Sequence, residues 1–209
     1  MTDARPHSPE PAAIEVGGLT RSAFLIRGAL AAGALYGAGA VAPLVSRALA
    51  QTSAGDQQIL SFLVALEEVE SAFYKAALKG AGLSGAPKAL ATEFGKHEDA
   101  HMTALKNALS LLGGQPPAPP SLKFNVSGRN AFFTTGAMLE DAGVGAYNGA
   151  ITRLRSPDLV AAAGAIVQVE ARHAAALRFR GGKDATPAAF DTPLAAGNAQ
   201  AAVRRAAGG

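Results

Sequence analysis

Two segments of the chain repeat each other in the side chains that ligate metals. Leu66-Glu67-Glu68 with Tyr74 downstream, followed by Glu98-x-x-His101, returns as Leu139-Glu140-Asp141 with Tyr147, followed by Glu170-x-x-His173. Each leading Glu precedes its Tyr by 7 residues, and the step from first to second Glu is 31 residues in one half and 30 in the other. One Glu plus one Glu-x-x-His per half makes four carboxylates and two imidazoles, the ligand set of a dimetal carboxylate helical bundle. The charges suit that role. Two divalent cations close together repel, and two carboxylates between them, with a further carboxylate and an imidazole at each end, bring the total to zero. Oxygen and nitrogen donors without sulfur suit iron or manganese, although zinc also accepts such a set. Two metal ions are therefore expected, iron ahead of manganese. Within each Glu-x-x-His the two ligands stand about 60° apart around a helix, so both can face one centre.

Four helices must carry these residues. Ile59, Phe62, Leu63, Leu66, Val69 and Phe73 recur at threes and fours, which predicts a first helix from about Asp56, as N-cap, to Gly80. The second is expected from about Pro87 to Leu112, closed by Gly113-Gly114, and the third from about Asn130 to Leu154. Ser156-Pro157-Asp158 supplies a turn and a cap for the fourth, which ends at Arg180 before Gly181-Gly182. The midpoint of Glu67 and Glu98 falls on Gly82 to Leu83, and that of Glu140 and Glu170 on Arg155. Each hairpin therefore brings its own two glutamates level.

Residues 113–128 join the hairpins through a Pro-rich stretch that reaches about 50 Å when extended, more than the roughly 40 Å of a 26-residue helix. That length lets the second and third helices run parallel. The fold class expected is all-α: a ferritin-like four-helix bundle with one long crossover between helices 2 and 3.

Glu67, Glu68 and Glu70 could each be the inward carboxylate of the first helix. Glu67 is preferred because it matches Glu140 in the repeat, whereas Glu70 aligns with Gly143 and remains the alternative ligand. Tyr74 and Tyr147 share the ligand face two turns on, where each could bond a ligand or carry a transient oxidising equivalent; packing with a satisfied hydroxyl is the commoner use of such a tyrosine. His97 and Glu93 are expected on a solvated face, with His97 close enough to Glu98 to support it from behind. Arg172 and Asp99 are expected to face solvent or the neighbouring hairpin.

Residues 1–50 read as an export signal. A polar, Pro-containing leader precedes a run from Phe24 to Val45 that is apolar apart from Arg27, and Ala48-Leu49-Ala50 offers a small-x-small cleavage site before Gln51. Thr20-Arg21-Ser22-Ala23-Phe24-Leu25 resembles a twin-arginine signal with Ser22 in place of the second arginine. The expected location is periplasmic or otherwise extracytoplasmic; the alternative is a chain anchored by residues 24–46. No other part of the chain is expected to meet a membrane.

The full chain of 209 residues carries a net charge of +3 and no cysteine. Without a run of Lys or Arg there is no footprint for nucleic acid. Without cysteine there are no disulfides, thiolate metal sites or nucleophilic thiols. Residues 51–182 make one domain with a core of its own, and residues 183–209 a tail that is a short helix or disordered. Ala-rich faces such as Ala161 to Ala165 fit self-association as a homodimer.

Leu66-Glu67-x-x-Glu70-x-x-Phe73-Tyr74, His97-Glu98-x-x-His101, Leu139-Glu140-Asp141-x-Gly143 and Val169-Glu170-Ala171-Arg172-His173 resemble the exported bacterial ferritin-like proteins, a group that includes plant desiccation-related proteins. The resemblance implies the bundle and the dimetal site. Its wider relatives oxidise or store iron, reduce peroxide, act as manganese catalases or activate oxygen, so a ferroxidase-like or a peroxidase- or catalase-like oxidoreductase acting on Fe2+, O2 or H2O2 is expected. The alternatives are a non-catalytic, stress-protective bundle of the desiccation type and an iron-storage protein. Rubrerythrins pass electrons through a four-cysteine iron centre, which this chain cannot build.

Overall fold

A computed structural model describes residues 54–119 and 122–207. The export signal expected over residues 1–50, its cleavage residues Ala48 and Ala50, and the alternative anchor over residues 24–46 lie outside the described residues. Among the described residues no helix is long and apolar enough to cross a membrane.

Four long helices, α1 (Ala54–Gly80), α2 (Gly85–Leu111), α3 (Gly128–Ile151) and α4 (Pro157–Arg180), form the bundle, with a short α5 (Ala196–Ala206) laid against α3. No strand occurs among the described residues. The turn after α1 uses Gly82 at φ 61°, a left-handed conformation that a side chain would disfavour. At α4 the Ser156 hydroxyl accepts the Leu159 amide, and Pro157 occupies the first turn, where its missing N–H costs nothing.

Asp56 departs from the sequence expectation. α1 begins two residues before it, so Asp56 stands inside the first turn and not ahead of the helix. Instead it is fully buried and accepts the Arg155 and Ser156 amides at 3.0 and 3.2 Å. It thereby ties the start of α1 to the turn between α3 and α4. Fixed amides in a turn packed against α1 compete better for a buried carboxylate than the water-exposed amides of a helix start. α2 and α3 also begin two residues earlier than expected, at Gly85 and Gly128.

The long crossover runs as the length of the Pro-rich stretch requires. Tyr74 on α1 bonds Glu140 on α3 while Tyr147 on α3 bonds Glu67 on α1, so α1 and α3 are antiparallel. Because α1 is also antiparallel to α2 across a short turn, α2 and α3 run parallel. Leu122, Phe124 and Val126 of the crossover pack on the core. At one end of the crossover Gln57 donates to the Leu112 carbonyl, and at the other Thr135 donates to that of Asn125.

Phe73, Tyr74, Phe94 and Phe132 form an aromatic cluster between α1, α2 and α3, with Phe73 and Phe132 stacked at 5.9 Å and Tyr74 edge-on to Phe94. Along α3, Gly145 and Gly149 let the tail pass close. A Cβ on Gly149 would stand 2.0 Å from the Leu194 carbonyl oxygen, and the Leu194 amide donates to the Gly145 carbonyl at 2.8 Å. That contact seats the tail before α5.

Candidate metal centre

Each long helix sends carboxylates or imidazoles into the middle of the bundle, where ionisable groups are rarely buried without partners. Glu67 and Glu70 come from α1, Glu98 and His101 from α2, Glu140 from α3, and Glu170 and His173 from α4; all seven are at most 2% exposed. The six residues preferred from the sequence are thus brought together. Glu70, held as an alternative to Glu67, joins them. Glu68 is turned aside and pairs with Lys106 at 2.7 Å.

The two Glu-x-x-His glutamates lie between the imidazoles. Glu98 places Oε2 3.1 Å from His101 Nδ1 and Oε1 2.9 Å from His173 Nδ1. Glu170 does the same, with Oε1 2.8 Å from His101 Nδ1 and Oε2 3.9 Å from His173 Nδ1. A carboxylate that offers one oxygen to each of two centres is what a bridging ligand must be. Glu67 stands 3.5 Å from His101 and Glu140 3.4 Å from His173, one terminal carboxylate for each imidazole. Two groups result, Glu67, Glu98, His101, Glu170 and Glu98, Glu140, Glu170, His173, each with ligand atoms within 4.8 Å of one another.

Whether a cation fits can be judged from unmet polar atoms. Glu67 Oε2, Glu98 Oε1, Glu140 Oε2, His173 Nδ1 and both oxygens of Glu70 and Glu170 are buried with no hydrogen-bond partner among the described residues. So many orphaned acceptors facing one point would each cost free energy without a counter-charge. These buried carboxylate and imidazole groups could hold metal ions, and the donors that converge here are oxygen and nitrogen.

The electrostatics agree. Burial pushes Glu67 up to about 7 despite His101 and Tyr147, and burial together with the charge of the neighbouring glutamates raises Glu70 and Glu170 well above the usual carboxylate range. Glu98 goes the other way: burial opposes its charge, but the His101 and His173 imidazoles beside it outweigh burial and hold the group at about 2. His173 rises to about 9, burial being outweighed chiefly by Glu140, and His101 rises further for the same kind of reason, chiefly Glu67. Protons thus stand where cations would otherwise balance the glutamates.

Tyr74 and Tyr147 each bond the terminal glutamate of the opposite hairpin, to Glu140 and Glu67. Burial and those same glutamates raise both phenols well above their ordinary value, so both remain donors. Gly95 permits the seam behind Tyr74, since a Cβ there would stand 3.1 Å from Tyr74 Cβ.

His97 is less exposed than the sequence suggests. Its Nδ1 is 2.9 Å from His173 Nε2, the rings lie nearly parallel, and Phe94 stacks on His173 at 3.9 Å. Glu93 stays on the outside, 3.4 Å from His97 Nε2. His97 therefore orients a candidate ligand from behind. Its position just before Glu98 hinted at this, but only the approach of α4 to α2 reveals it. Asp99 faces its own hairpin and takes Lys75 and Ser71, while Arg172 is exposed.

Residues 55–183 match the family model described as a ferritin-like domain. No curated protein matches the chain.

Proposed function

The chain belongs to the ferritin-like domain family, and we propose that within it this protein is an exported dimetal-carboxylate protein with redox activity toward Fe2+, O2 or H2O2. The single observation that carries the reading is the division of Glu98 and Glu170 oxygens between His101 and His173. Glu98 and Glu170 would bridge two ions of iron or manganese. Glu67 with His101 would complete one end and Glu140 with His173 the other. A bound pair of this kind supplies two one-electron steps at adjacent ions, enough for two Fe2+ to reduce one H2O2 to water or for two H2O2 to give O2 and water.

The protein's own part is binding, orientation and exclusion of water. Tyr74 and Tyr147 fix the terminal carboxylates of the opposite hairpins, so neither hairpin can shift without disturbing both ends. His97 fixes the ring of His173. Phe94 and the aromatic cluster close the site from the α1–α2 side. With no cysteine in the chain, electrons must come from the substrate itself or from a separate donor. The leader and Ala48-x-Ala50 support a location outside the cytoplasm, which fractionation of cells expressing the full chain would test.

The deciding experiment is metal analysis of the purified chain beside a Glu98→Gln/Glu170→Gln variant, followed by Fe2+ and peroxide assays. Two irons or manganeses per chain, lost in the variant together with turnover, is the expected result. No metal after anaerobic reconstitution with Fe2+ or Mn2+ would end the dimetal reading. Metal that raises the melting temperature without any turnover would leave the non-catalytic, protective bundle in its place.

A further inference from the structure

The two hairpins repeat each other, but at one level the repeat is broken. Glu67 lies opposite Tyr147, and Tyr74 opposite Glu140. Midway between these rungs, where the pseudo-twofold axis relating the halves must cross the α1–α3 face, stand Glu70 and Gly143. A Cβ on Gly143 would be 2.7 Å from Glu70 Oε1 and 3.8 Å from Glu170 Oε2. Two glutamates could not share this level, because their carboxylates would meet head on. One glutamate facing one glycine leaves a single carboxylate at this level, on the side of the cluster where Glu170 also lies.

Glu70 has the marks of a ligand rather than of a structural acid. It is fully buried and both of its oxygens are unpartnered among the described residues. Among the described residues no tyrosine restrains it as Tyr147 restrains Glu67 and Tyr74 restrains Glu140. The imidazoles occupy the α2–α4 side, so Glu70 faces the cluster from the opposite side. With Glu67, Glu98, Glu140 and Glu170 it raises the carboxylate count to five, one negative charge more than two divalent ions neutralise.

We propose that Glu70 is a fifth carboxylate of the metal site, shared by both ion positions from the α1–α3 face, and that it adapts the site to an ion pair carrying one positive charge more than two divalent ions. This rests on the dimetal reading above. Two consequences separate it from a merely nearby charge. The extra negative charge favours the oxidised pair, and the carboxylate fills the face that a small anion would otherwise use.

The test uses the full chain loaded anaerobically with Fe2+, as wild type, Glu70→Gln, Glu70→Ala and Gly143→Ala, with metal content measured in each. In a mediated spectroelectrochemical titration, where the electrode takes the electron, the oxidised-to-reduced ratio at fixed potential should fall at least about tenfold in Glu70→Gln, or 59 mV for a one-electron step. Azide should bind the oxidised pair at least about tenfold more tightly in Glu70→Ala than in wild type. Gly143→Ala keeps the charge but displaces the carboxylate, and should move both readouts the same way by less. Two irons bound, with either the ratio or the azide affinity unchanged in the Glu70 variants, would overturn the assignment. Wild type that binds no iron would instead remove the dimetal reading, and this inference with it.

Discussion

Removing the metal should invert the way stability responds to pH. In the metal-free chain Glu67 is held at about 7 against an ordinary 4.5, chiefly by burial. A carboxylate whose folded pKa lies above its unfolded value contributes its full stability below 4.5 and loses it as pH rises through about 7. At 1.36 kcal/mol per pH unit between those values, Glu67 alone withdraws about 3 kcal/mol across that interval. Glu70 and Glu170 shift in the same direction. His173, raised to about 9, adds a contribution that is complete below 6.5 and lost as pH passes 9. Glu98 opposes these groups, but its window lies between about 2 and 4.5. His97, lowered chiefly by burial, opposes them weakly because it is partly exposed. Melting the chelated chain at pH 5, 6, 7 and 8 should therefore show Tm falling by about 6–12 °C over the interval, taking about 2–4 °C per kcal/mol for a domain of this size. The metal-loaded chain should show the opposite slope, since ions displace protons and bind better as pH rises. A metal-free Tm that is flat or rises from pH 5 to 8 would refute the view that these glutamates are buried against their charge.

Three further outcomes follow from single contacts. Tyr74→Phe and Tyr147→Phe each free a terminal glutamate, and each should weaken binding of Mn2+ about tenfold by calorimetric titration while leaving the far-ultraviolet helix signal unchanged. Gly149→Ala drives a methyl into the Leu194 carbonyl and should detach the tail: limited proteolysis after residue 190 should accelerate at a cost of about 1–3 kcal/mol in denaturant unfolding. Asp56→Ala strands the buried Ser156 amide and the partly buried Arg155 amide and should cost about 2–4 kcal/mol by the same measurement, whereas an exposed helix cap would cost only about 1 kcal/mol.

The bundle was legible because its determinants are local or periodic. Apolar residues at threes and fours set the helices, glycines and Ser156-Pro157 set their ends, and the length of the Pro-rich segment set the direction of the crossover. The repeat brought Glu67, Glu98, His101, Glu140, Glu170 and His173 to notice without any contact being known. What stayed hidden depends on helices meeting. Asp56 looks like an N-cap until the α3–α4 turn is placed against it. His97 looks solvated until α4 approaches α2. Glu70 looks like a rival of Glu67 because the two seem to compete for one inward direction, yet at one turn's separation on α1 both point inward, Glu67 to the level of Tyr147 and Glu70 to the level of Gly143.

The same repeat explains how the carboxylates of the site are kept close to one another. Each hairpin alone levels only its own pair of glutamates, and nothing within a hairpin sets the distance to the other pair. Two devices do so across the halves: Tyr74 and Tyr147 cross between α1 and α3, and Asp56 ties the first helix to the second hairpin's turn. Together they keep five carboxylates from moving apart, although repulsion would favour it. A looser bundle would relieve that repulsion by opening or by admitting water, and would then bind ions weakly and in no fixed number. Here the scaffold keeps the acids close, and protons on Glu67, Glu70, Glu170 and the two imidazoles carry the neutralising charge where the proposed cations would replace them. Preorganisation of this kind shifts free energy from the folding of the metal-free chain to the binding of metal. Loosening one cross-tie, as in Tyr147→Phe, should accordingly lower the affinity for metal more than it lowers the stability of the metal-free fold.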